Sequence, residues 1–70
     1  MTELPIAPVG RLIRQSGASR VSEGASETLA DILDTYAKDV SSYAAKLAQH
    51  AGRKTVTAED IELAAKTIVG

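Results

Sequence analysis

The sequence predicts an all-α fold of three helices, short, long and short, completed by a second chain. Three observations carry this. An unbroken amphipathic stretch runs from Ser22 to Gly52. That stretch is longer than the globule that 70 residues can make. The apolar content, 44% of the chain, is rich in alanine and contains no Phe or Trp, so one chain has little with which to fill a core.

The long stretch reads as a helix over Glu23–His50. Ser22 is a good N-cap, Glu23 and Glu27 place negative charge in the first turns, and Gly52 falls where a C′ glycine ends a helix. Between them Ala25, Leu29, Ile32, Leu33, Tyr36, Val40, Tyr43, Ala44, Leu47, Ala48 and Ala51 recur in steps that are mostly threes and fours, the spacing of one helical face. About 28 residues at 1.5 Å each make a rod of roughly 42 Å. A compact chain of this length has a radius of gyration of about 11 Å, hence a diameter of about 28 Å. Two short flanks cannot cover such a rod, so the chain reads as half of a structure.

The flanks follow the same logic. Leu4-Pro5-Ile6-Ala7-Pro8 leads into a short helix, where Pro8 is tolerated in the first turn and Val9, Leu12 and Ile13 form the apolar face. Gly17 ends it, and Ala18–Val21 connects to the long helix. Beyond Gly52, the β-branched residues in Arg53-Lys54-Thr55-Val56 suggest a short extended piece. Thr57 with an acid three residues on resembles a capping box, and Ile61, Ala64, Ala65 and Ile68 give the last helix its apolar face. Residues 1–70 are read as one domain.

Composition excludes several classes. Without cysteine there is no disulfide and no thiolate metal site, and a single histidine excludes a multi-histidine metal cluster within one chain. His50 alone could not complete a Ser/His/acid triad, so no enzyme, metal or cofactor is expected. The start of the chain lacks the basic and apolar regions of a secretory signal, and no apolar run approaches the ~18 residues of a membrane span. A soluble, intracellular protein is expected. For so small a domain without a disulfide or metal, oligomerisation is the remaining way to stabilise the fold.

Formal net charge is −1, but the charges segregate. Gly10–Ser22 holds Arg11, Arg14 and Arg20 without an acid, and Val40–Ala58 holds Lys46, His50, Arg53 and Lys54 without an acid. Glu23, Glu27, Asp31, Asp34 and Asp39 occupy the first two-thirds of the long helix. If two long helices pair antiparallel, the first connection of one chain meets the second of its partner, and a basic cluster forms at each end with the first-helix arginines between. A row of basic clusters suits the backbone of a duplex. No aromatic platform for unstacked bases accompanies it, which argues against a single-stranded partner.

Particular residues then carry a resemblance. They are Leu4-Pro5-Ile6-Ala7-Pro8, Gly10-Arg11, Arg20-Val21-Ser22, His50-Ala51-Gly52-Arg53-Lys54-Thr55 and Ala58-Glu59-Asp60-Ile61-Glu62-Leu63-Ala64. In these the chain resembles the archaeal histones over nearly its whole length. The resemblance implies the histone fold, in which two chains clasp in a head-to-tail handshake and bind double-stranded DNA without base specificity, on the chromosome in the cytoplasm (the nucleoid). The partners implied are duplex DNA and a second copy of the chain or another histone paralogue, with no membrane.

The resemblance also implies roles. Arg11 contacts phosphate. Arg20 points into the minor groove, steadied by the partner's Thr55. Lys54 contacts phosphate from the second connection. Arg14 is either a further phosphate contact or a solvated charge. Arg53 and Asp60 form a structural ion pair within the chain. Leu47, His50 and Asp60 join one dimer to the next, although His50 at a helix C-terminus also suits a plain cap. Tyr36 and Tyr43 read as packing residues. Successive layers of a DNA coil stack through Gly17, Asp31, Thr35, Glu62 and Lys66. In that stack Asp31 opposes Glu62, a like-charge pair, and Thr35 offers Lys66 no anion. The rival readings are a histone-fold dimerisation module of a transcription complex, which the net charge favours, and an assembly-limiting histone variant.

Overall fold

Ser22 starts the central helix as its sequence suggests. The Ala25 N–H donates to Ser22 Oγ at 3.1 Å, which satisfies one of the unpaired donors of a first helical turn. The computed structural model describes residues 3–69 and contains three helices: α1, Ile6–Gln15; α2, Glu23–His50; and α3, Ala58–Val69. No strand occurs among the described residues.

Each terminus has a chemical cause. Pro8 lies in the first turn of α1, where a missing N–H removes no helical hydrogen bond. At the other end of α1 the Gly17 N–H donates to the Arg14 carbonyl with φ at +122°, a conformation that side chains disfavour. Helix α2 closes in a Schellman motif. The Gly52 N–H donates to the Gln49 carbonyl at 3.0 Å and the Arg53 N–H to the Ala48 carbonyl at 2.9 Å, with Gly52 at φ +72°. Helix α3 opens with a reciprocal box: the Thr57 N–H donates to Asp60 Oδ2 at 2.9 Å, and the Asp60 N–H reaches Thr57 Oγ1 at a longer 3.4 Å.

The segment Arg53–Val56, expected to be extended, is irregular, with bends at Lys54 and Thr55. A strand needs a ladder partner, and no neighbouring strand is available among the described residues to supply one.

The chain divides into two compact units, Met1–Thr35 and Tyr36–Gly70, and α2 contributes to both. In the first unit α1 buries Val9 and Gly10, while Ser26 and Ala30 are buried on α2. In the second, Val40, Ala44 and Ala64 form the core cluster, with Leu47 and Ala65 packed against it. Among the described residues no buried apolar side chain is larger than valine.

That thin core refines the single stripe read on α2. Ser26 and Ala30 lie outside that stripe yet are buried, and Val40, Ala44 and Ala48 continue the same small-residue row. Ile32, Tyr36 and Tyr43 lie inside the stripe yet are exposed, Ile32 at 59%. The helix therefore carries two adjacent apolar rows, a small one covered by the chain's own flanks and a large one left open. Leu12 on α1 and Ile61, Leu63 and Ile68 on α3 are exposed as well. Each unit thus leaves large apolar side chains open to solvent.

Candidate nucleic-acid interface

The first unit carries Arg11 and Arg14 on α1 and Arg20 in the following connection, all three exposed. The second carries Lys54 and Thr55 in its connection, also exposed. Among the described residues none of Arg11, Arg14, Arg20 and Lys54 is paired with a carboxylate, so their charges remain available to an external anion.

Arg53 differs. Its Nη2 donates to Asp60 Oδ1 at 2.8 Å and its Nη1 to Asp60 Oδ2 at 2.9 Å, a bidentate pair, while Nη1 also donates to the Thr55 carbonyl at 3.0 Å. The Schellman turn makes this possible by delivering the Arg53 backbone directly beyond the end of α2. The Asp60 side chain is 7% exposed and that of Arg53 40%. The Arg53 guanidinium first, and the Thr57 N–H second, hold the Asp60 carboxyl far below the usual carboxylate range. Arg53 is shifted upward in return, chiefly by its hydrogen bonds to Asp60. The planar fork of arginine suits this pairing; lysine could not span both oxygens. The result is a rigid corner at which Lys54 and Thr55 are displayed.

The profile of the family described as "Histone-like transcription factor (CBF/NF-Y) and archaeal histone" matches residues 2–65. The chain belongs to this family. It is 59% identical over 66 residues to one of the subunits of archaeal histone HAN1 from Thermococcus zilligii, covering 94% of this chain and 98% of the relative. It is 44% identical over 64 residues to the probable archaeal histone 3 of Methanocaldococcus jannaschii, covering 91% of this chain and 96% of the relative. The short, long, short order of α1 to α3 is the histone fold, and membership places the chain among DNA-binding chromatin proteins rather than enzymes. No helix among the described residues is long and apolar enough to cross a membrane.

On the second unit of this histone-fold chain, Tyr43, Lys46, Leu47 and His50 line an open depression of about 380 Å³. Their spacing of three, four and seven puts them on one face of α2. Asp60, assigned by resemblance both to the Arg53 pair and to the contact between dimers, has both oxygens engaged within its own chain, Oδ2 twice and Oδ1 once. A further donor would have to approach Oδ1. Gly17, Asp31, Thr35, Glu62 and Lys66 are all exposed.

Sequence reasoning gave Gly10 no structural role and passed over Ser26, both buried where α1 meets α2. A glycine in a helix interior was the available signal, because such a residue is unfavourable unless something approaches it closely.

Proposed function

We propose that this chain is a chromosomal histone that binds duplex DNA through its phosphates without reading bases, acts as a dimer, and bends and wraps the duplex as dimers join. The observation that carries the reading is the set of exposed, unpaired cations in two acid-free stretches of a chain whose net charge is −1. Overall charge supplies no attraction here, so binding rests on local clusters. Arg11 and Lys54 contact phosphate. Arg20 enters the minor groove, whose narrow regions favour a guanidinium, steadied by the partner's Thr55. Wrapping by backbone contacts and inserted arginines requires no base reading.

The open apolar row of α2 and the thin core support dimerisation, because a chain whose described residues include no buried side chain larger than valine lacks the burial that small domains need. The partner is a second copy or a paralogue. The Thermococcus zilligii relative is named as a histone subunit, in keeping with either partner. Tyr43, Lys46, Leu47 and His50 form the patch through which dimers join, with His50 approaching Asp60 of the next dimer.

The family description includes histone-like transcription factors, and together with the charge of −1 this supports a second reading, a dimerisation module with weak DNA binding. Titration of mixed-sequence duplexes at two salt concentrations, with crosslinking to count chains, separates the two. Salt-sensitive binding of chains in multiples of two supports the histone reading. Dimers that ignore DNA at 50 mM salt support the other. On dilution, helix and dimer should vanish together, and a stable helical monomer would refute the dimer.

A further inference from the structure

Where α1 meets α2, the α1 backbone at Gly10 lies against the side chain of Ser26. Gly10 is buried in the interior of α1, and a Cβ built there would lie 3.0 Å from Ser26 Oγ and 4.0 Å from Ser26 Cβ. The first distance is closer than carbon and oxygen comfortably approach; the second is an ordinary contact. Ser26 is 6% exposed. Arg14 Nη1 lies 3.9 Å from the same point, so its guanidinium sits beside the crossing, and Arg11 follows Gly10 directly on the exposed side of the helix.

We propose that Gly10 and Ser26 are positioning residues for the DNA-binding Arg11: their contact sets the depth and angle at which α1 seats on α2, and so where Arg11 presents its guanidinium group to phosphate. The inference rests on the DNA-binding reading above. Glycine is costly within a helix, so its presence at position 10 is explained by this close approach. A methyl group there lifts α1 from its seat and moves Arg11 without removing it. Phosphate contacts reward correct spacing along the backbone, so a displaced arginine loses its contact even though the charge remains.

The test is a cycle of G10A, S26A and G10A/S26A in the full-length protein, with a mixed-sequence duplex as probe. G10A should lower affinity roughly tenfold at 0.15 M salt and flatten the log–log salt slope by about 1.8, one lost contact on each of two chains. Its helix content should hold, because alanine favours helix. G10A/S26A should recover wild-type binding, since removing the hydroxyl leaves only the ordinary contacts at 3.9 Å to Arg14 Nη1 and 4.0 Å to the Cβ of residue 26. Adding G10A to Arg11→Ala should cost little more than Arg11→Ala alone, because both act through one contact. Wild-type affinity in G10A, weak binding that S26A fails to restore, or a loss of helix in step with affinity each overturns the positioning role. A wild-type protein that binds no duplex at low salt instead refutes the DNA-binding reading itself.

Discussion

The salt dependence of DNA binding can be worked out from which cations the fold leaves free. Arg11, Arg20 and Lys54 have no carboxylate partner among the described residues, whereas Arg53 is held by both oxygens of Asp60 and by the Thr55 carbonyl. With Arg14 left as a solvated charge, these three free cations on each of two chains give roughly six phosphate contacts, and at about 0.9 released counterions per contact the log–log slope should lie near −5. Between 50 and 200 mM salt that slope costs roughly 10³ in affinity. Arg20→Ala leaves about four contacts and should bring the slope to about −3.6. The loss should be greatest on duplexes with flexible steps or narrow grooves, where an inserted guanidinium contributes most. Fluorescence anisotropy with a mixed-sequence duplex over a salt series reads the slope directly. A value near −7 would mean that a fourth cation on each chain reaches phosphate, either the unpaired Arg14 or an Arg53 released from Asp60, and a value near zero would mean that the cations do not contact the backbone; either refutes the count.

Other consequences can be checked separately. Asp60 titrates lower in the folded chain than in the unfolded one, so its contribution is fully present above the unfolded value of about 4 and declines as pH falls through the depressed folded value. Thermal melts below pH 4 should therefore show a loss of stability that Asp60→Asn makes shallower. Ala64 has no exposed surface and packs with Val40 and Ala44, so Ala64→Leu should cost about 1–3 kcal/mol by overpacking, read as a lowered melting temperature. Leu47→Glu should leave dimers intact by sedimentation but shorten the nuclease footprint on DNA; an unchanged footprint removes this face from the assembly. Asp31→Lys should raise the force needed to unstack a saturated fibre, by replacing repulsion toward Glu62 with an exposed pair worth about 0–1 kcal/mol per layer. An unchanged or lower force means that Asp31 does not face Glu62.

The helix ends were the most legible part of the fold, because capping chemistry is local. Ser22, Gly52 and the Thr57/Asp60 box each act within three or four residues, and each has the hydrogen bonds that its residue type suggests. Periodicity was less informative about burial. On α2 it merged two neighbouring rows, since Ala44 and Ile32 both fall in the stripe but only the smaller is covered by its own chain. Size decides this: short flanks can approach alanine and serine closely, but cannot enclose isoleucine and tyrosine. At the interface, the cations were visible as charge runs, while the engagement of Arg53 depended on a turn that swings it toward a residue seven positions later. Gly10 was harder still, because its significance lies in the Ser26 hydroxyl on another helix.

The Arg53, Thr57 and Asp60 corner also bears on the order of assembly. All its contacts fall between residues 53 and 60, so closing it requires no distant part of the chain. Loops of about ten residues close in roughly 10–100 ns. Two chains at micromolar concentration, associating at about 10⁵–10⁷ M⁻¹s⁻¹, meet on a timescale of roughly 0.1–10 s. The corner displaying Lys54 is thus sampled many times before any partner arrives. The slow event in building the particle is encounter, not turn formation, so its rate should follow protein concentration and change little with substitutions in this loop.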